Sequence, residues 1–255
     1  VLSWLRRETR MGPRKIFHGL VAGAHNNTSA GAAIGSLGII IGGIVLAGLG
    51  LKFSAVLVEF AGGQLFFTVV LVTIISIVIG MGSSTTGSYI ILAVVAAPAL
   101  VHLGVDEVAA HLVVFYAACL SNVTPPVCVS AFAGAAIAGA DPMKTGFAAL
   151  KFGATLVLIP FSFVYVPELL LIGEPAAIAW AVLRYALGYA VLAMGIQKTE
   201  FLTGPISQWR RGTFLIAAAC LLFPMLPGIE FAGFALTALA WAPSVRTVLA
   251  ARRAV

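Results

Sequence analysis

Charge is what this sequence has least of. Only 9% of its 255 residues are Asp, Glu, Lys or Arg, against roughly a quarter in a soluble domain. Residues 60–105 and 108–140 contain none at all. That excludes an ordinary soluble domain and reads as a polytopic membrane protein, since one crossing needs about 20 apolar residues. Cysteine is also sparse: Cys119, Cys128 and Cys220 lie in apolar surroundings without C-x-x-C spacing, which leaves them as small core hydrophobes. The four histidines, His18, His25, His102 and His111, lack metal-ligand spacing and read as interfacial or packing residues. No basic run is interleaved with aromatics, so the net charge of +6 fits cytoplasmic loop bias and not nucleic-acid binding.

What remains is 61% hydrophobic, with a mean hydropathy of +1.07 and 27 glycines suited to close helix packing. An all-α chain is expected. Residues 1–28 form a basic amphipathic arm (Arg6, Arg7, Arg10, Arg14, Lys15) rather than a signal peptide. A Gly-rich span covers about 29–51, and Lys52 and Glu59 mark a linker. Residues 65–103 are two apolar arms around Gly82-Ser83-Ser84-Thr85-Thr86-Gly87-Ser88. Residues 108–138 are a span broken at Pro125-Pro126. Asp141, Lys144 and Lys151 mark a loop before spans near 152–166 and 176–196. Two short arms around Pro224–Gly228 and a basic tail close the chain.

Loop charges alternate in sign. Residues 1–28, the 140s, the 200s and the tail carry the Lys/Arg excess and are placed in the cytoplasm; the loops near 52–64, 104–108 and 167–175 then face outward. On this parity residues 65–103 start and finish outside. They are either two full crossings or a re-entrant hairpin with its tip at Gly82–Ser88, and the polar tip and short arms favour the hairpin.

Two places could carry chemistry. The double proline removes two N–H donors and frees backbone carbonyls beside Asn122 and Thr124. The tip offers the hydroxyls of Ser83, Ser84, Thr85, Thr86 and Ser88, with backbone opened by Gly82. Such oxygens can replace the hydration shell of a hard cation such as Na⁺ without a carboxylate. The candidate Na⁺ and adjacent solute site is therefore Gly82, Ser83, Ser84, Thr85, Thr86, Asn122, Thr124 and Pro125. The plainer alternatives are a flexible polar turn at the tip and a proline kink used only for packing. Arg184, inside an apolar span, reads as functional, snorkelling or buried against a partner. Phe161–Tyr165 reads as an interfacial aromatic belt. A membrane-embedded hydrolase using Ser83 or Ser84 with His111 lacks the G-x-S-x-G elbow.

Several ordered runs resemble the large membrane subunit of tripartite ATP-independent periplasmic (TRAP) transporters, and more narrowly the fused permeases that work with TAXI-type binding proteins. They are Gly48–Ser54, Gly80-Met81-Gly82 with Thr85-Thr86, Ala110-His111-Leu112 with Phe115-Tyr116, Thr124-Pro125-Pro126, Ala138–Pro142 and Phe163–Leu171. Two positions depart from the family pattern: Ser84 stands where a proline usually precedes the paired threonines, and Asn122 where some members are acidic.

The resemblance implies one half of an inverted-repeat elevator transporter, with residues 29–173 as a transport-domain half and 174–255 as C-terminal membrane helices. It implies cation-coupled uptake of an organic acid, with Na⁺ as coupling ion and no other cofactor. A periplasmic TAXI-type binding protein would deliver the solute. An N-terminal half and a small membrane subunit would complete the permease in the inner (cytoplasmic) membrane of a bacterium or archaeon. The chain is expected to be the C-terminal half of a longer protein. Neutral Asn122 favours Na⁺ over H⁺. The alternatives are another elevator carrier that needs no binding protein, and a structural membrane subunit.

Overall fold

The structure, a computed structural model, describes residues 12–81, 84–200, 204–223 and 228–253. The first part of the basic arm and Pro224–Pro227 lie outside them. Apart from a two-residue ladder (Thr199–Glu200 with Gly204–Pro205) the regular structure is helical. The expected all-α membrane architecture is what is found.

Helix α1 runs Pro13–Leu46, so residues 13–28 continue into the Gly-rich segment without a break. Pro13 opens it where a missing N–H costs nothing. Gly48, at φ +64°, then turns the chain by 72° into α2 (Leu49–Phe60). This corrects the expected linker at Lys52 and Glu59. These charges are seven residues apart, so they share the exposed face of a helix whose other face buries Gly50, Ser54 and Leu57. A Cβ on Gly50 would stand 2.7 Å from the carbonyl oxygen of Val94, and Ser54 Oγ donates to the Val95 carbonyl at 3.0 Å.

Helix α3 (Leu65–Gly80) is followed by α4 (Thr85–Val95), and α5 (Ala97–His102) prolongs α4 after a kink at Ala96. Helix α6 (Glu107–Ser121) starts on Asp106, whose carboxylate accepts from the N–H groups of Val108 and Ala109. Small residues Ala109, Ala110, Val113, Val114, Ala117 and Ala118 are almost fully buried, so α3, α4 and α5 pack closely around α6. The chain breaks over 122–128 and resumes as α7 (Val129–Ala138).

Residues 141–151 were expected to be a loop and are instead helix α8 (Pro142–Phe152). Asp141 accepts from Lys144 N at 2.8 Å and Pro142 fills the first turn, while Lys144 and Lys151 lie two turns apart on one face. Together with α9 (Ala154–Tyr165) it makes a 24-residue candidate span. After a 3₁₀ turn (Pro167–Leu170), α10 (Pro175–Gln197) is a second candidate span, and Thr85–His102 a third. The bent α1–α2 pair is a possible fourth. Helices α11 (Gln208–Leu222) and α12 (Ile229–Arg253) complete a second core around Val191, Met194, Phe214 and Ala240. Within Phe161–Tyr165, Phe161 meets Phe66, Phe163 meets Tyr116 and Ser162 shares a hydrogen bond with Tyr189, while Tyr165 at the end of α9 is exposed.

Candidate functional site

The start of α4 and the break after α6 meet. Asn122 Nδ2 donates to Thr85 Oγ1 at 3.0 Å, across 37 residues of sequence. The same amide donates to the Ala118 carbonyl at 3.2 Å, so both its hydrogens are engaged. No partner is found for Asn122 Oδ1 among the described residues. One step back, Gly80 lies so close to α6 that a Cβ there would come within 2.5 Å of Ser121 Oγ. Only glycine permits this approach.

The backbone at the break also keeps acceptors in hand. Pro125 removes the helical donor for the Ser121 carbonyl, and Pro126 removes that for Asn122. Ser130 N–H rescues the Asn122 carbonyl at 3.2 Å, and Cys128 N–H that of Thr124 at 3.3 Å. The carbonyls of Ser121, Val123, Pro125 and Pro126 accept no hydrogen bond among the described residues. Thr124 Oγ1 donates to the Leu120 carbonyl at 2.7 Å, which leaves its lone pairs facing outward from that bond. The Pro125–Pro126 peptide is cis.

Helix ends reinforce the pattern. Helices α3 and α6 both finish here, presenting the negative ends of their dipoles; α4 and α7 both begin here, presenting positive ends. The arrangement can hold a cation against C-terminal carbonyls and hydroxyls, with an anionic group beside the α4 N-terminus.

Of the eight residues expected at the site, Gly82 and Ser83 lie outside the described residues. Thr85 and Asn122 are in direct contact, and Thr124 and Pro125 follow within the same break. Thr86 is exposed at the start of α4. Ser84 serves as the N-cap of α4, its hydroxyl accepting from Gly87 N–H at 3.1 Å. His111 Nδ1 is bonded to Tyr89 OH at 3.1 Å and Ser84 to Gly87, so the two are paired elsewhere and not with each other. Arg184 is on α10, its guanidinium 4.9 Å from the Tyr185 ring centroid.

The sequence did not single out Gly146. A Cβ there would stand 2.7 Å from Cys128 Sγ and 3.4 Å from Pro125 Cγ, so α8 braces the break from one side. A glycine inside a helical pattern was the available signal. Also missed was a buried charge cluster in the C-terminal helices. Arg210 Nη2 donates to Glu200 Oε2 and to Ser244 Oγ, both at 2.7 Å, and to the Ala240 carbonyl at 2.9 Å; Ser244 also donates to Glu200.

The family model of the tripartite ATP-independent periplasmic transporter, DctM component, matches residues 1–178. The chain belongs to that family. It is therefore a multi-pass membrane component of a TRAP-type secondary transporter, a family of permeases and not of enzymes, whose members operate with a periplasmic binding protein and further membrane subunits. The match takes in the hairpin, the broken helix and α9, and stops within α10. No curated protein and no solved structure matches the chain.

Proposed function

We propose that the tip and the break form a Na⁺ site that couples uptake of an organic acid to the sodium gradient. One observation carries this reading: the Asn122 amide has both N–H groups engaged, at Thr85 and Ala118, so what it presents is its oxygen. The Thr124 hydroxyl likewise has its proton on Leu120, and the freed carbonyls add only acceptors. A site rich in acceptors, without a carboxylate, suits a dehydrated monovalent cation better than a proton. Gly82, Ser83, Thr85 and Thr86 would contribute from the tip, and Asn122, Thr124 and Pro125 from the break. The solute carboxylate would lie beside the ion, at the α4 N-terminus.

In this reading a TAXI-type protein brings the solute to the outer face of a bacterial or archaeal inner membrane. An N-terminal half and a small membrane subunit complete the permease, and α3–α5 act as a re-entrant hairpin over the solute.

The test is Na⁺-driven uptake by the complete permease in proteoliposomes, with Asn122→Ala and Thr85→Val. We expect wild-type uptake to require Na⁺ and to be stabilised against heat by NaCl but not KCl, and each variant to lose both effects while remaining folded. Unchanged Na⁺ dependence in Asn122→Ala overturns the site; equal uptake on a proton gradient without Na⁺ overturns the ion.

A further inference from the structure

Where the helices matched by the family model meet the rest of α10 and α11 lies a cleft of about 510 Å³. Phe66, Phe161 and Tyr165 line one side; Tyr185, Tyr189 and Phe223 line the other. The hydroxyls deep in it are already committed. Tyr185 OH donates to the Leu222 carbonyl at 3.1 Å, and Ser162 and Tyr189 bond each other. The protons of Tyr185 and of the Ser162–Tyr189 pair are thus spent within the protein, the Tyr165 hydroxyl stands at the mouth where α9 ends, and the rest of the lining is apolar. On either side stand α9, which with α8 makes one candidate membrane span, and α10, which is another, so in a bilayer the cleft would open toward hydrocarbon.

The shape follows from the sequence positions. Tyr165 and Val166 end α9, where the chain leaves the span. Tyr185 lies ten residues into α10, about 15 Å along its axis from Pro175. The cleft thus runs from the membrane interface toward mid-bilayer. At about 30 Å³ per small group, the liquid volume of one water, it has room for about 17 methylene-sized groups. From this the geometry points to a structural lipid: one acyl chain of a membrane phospholipid occupies the cleft, with its headgroup left at the interface beside the 3₁₀ turn. The lipid fills the seam between the part of the chain that the family model matches and the helices beyond it. This inference rests on the membrane-spanning helices and is independent of the sodium site.

Tyr185 makes it testable, because it is only 4% exposed and lines the cleft. The complete permease is reconstituted in phosphatidylethanolamine–phosphatidylglycerol vesicles containing a phosphatidylcholine with a diazirine midway along one acyl chain. It is irradiated and the adducts are mapped by peptide mass spectrometry. We expect adducts at Tyr185 or Tyr189 as well as at exposed Leu183 on the same helix. In Leu158→Trp, which fills the cleft, the tyrosine adducts should fall at least tenfold while that at Leu183 stays. Labelling of Leu183 without either tyrosine in the wild type overturns the proposal, whether or not the variant folds. So does tyrosine labelling that a folded Leu158→Trp leaves unchanged. Removal of the tyrosine label by excess free palmitate but not by excess unlabelled phospholipid overturns the assignment to a phospholipid.

Discussion

Around Asn122 the polar groups are neutral, half-buried and rich in acceptors that nothing among the described residues meets. Around Glu200 they are charged, buried and mutually bonded: a carboxylate, a guanidinium, a hydroxyl and a helix carbonyl hold α11, α12 and the 199–205 ladder together. Both groups lie in an apolar chain where an unmet polar atom is costly. The cluster lowers that cost internally. At the break the carbonyls of Val123, Pro125 and Pro126 accept no hydrogen bond among the described residues, and under the proposed function the ion and solute meet them. The contrast sets a polar cluster bonded within itself beside one with acceptors to spare, and substitutions can press on each side of it.

The largest effect is expected at the cluster. Arg210→Met takes the guanidinium away from the buried Glu200 carboxylate, and breaking a buried ion pair by removing one partner should cost about 3–5 kcal/mol. The double variant Glu200→Met/Arg210→Met should recover most of that. Unfolding in detergent measures both. A loss under about 1 kcal/mol for Arg210→Met would mean that the cluster is not closed in the way its hydrogen bonds indicate.

Next come the close approaches that hold the break in place. Gly80→Ala drives a methyl group into Ser121, and Gly146→Ala drives one into Cys128. Overpacking of this kind costs about 1–3 kcal/mol. Both should also weaken the response to Na⁺, because tip and break can no longer meet at the Thr85–Asn122 distance. Full Na⁺ dependence in both variants would show that the site tolerates a displaced hairpin.

A smaller stability change, with a larger functional consequence, is expected for Asn122→Ala. The lost bond to Thr85 contributes about 1 kcal/mol, yet the variant should show no NaCl-dependent rise in melting temperature. Where Arg210→Met changes stability and leaves the ion's increment in place, Asn122→Ala should do the reverse. Observing the same pattern in both would erase the distinction drawn here.

Much of this was legible in the amino-acid order. Pro125-Pro126 breaks a helix wherever it occurs in one, and the polar Gly82–Ser88 run marked the other interruption, although Thr85–Ser88 already form the first turn of α4. Charge misled the reading at Lys52–Glu59 and Lys144–Lys151. Pairs of charges in an apolar chain resemble loop markers, but at a spacing of seven they share one helix face. What no local pattern contains is which interruption meets which. Asn122 reaches Thr85 across 37 residues and Arg210 reaches Ala240 across 30, and the glycines at 80 and 146 matter only through what lies opposite them.

The finest test concerns Ser84, which the sequence offered as a cation ligand and the structure uses as the cap of α4. A ligand and a cap are separable. Ser84→Ala removes an N-cap and should cost about 1 kcal/mol, and Ser84→Asp should restore the cap. If capping is the whole role, the sodium concentration for half-maximal uptake is unchanged in Ser84→Ala, because Thr85 and Asn122 still meet. If the hydroxyl also binds the ion, Ser84→Ala shifts that concentration upward. Ser84→Asp then shifts it downward, since a carboxylate beside a cation strengthens the attraction. The pair of variants thus decides on which side of the comparison this residue stands, by a readout that a loss of helix stability alone does not move.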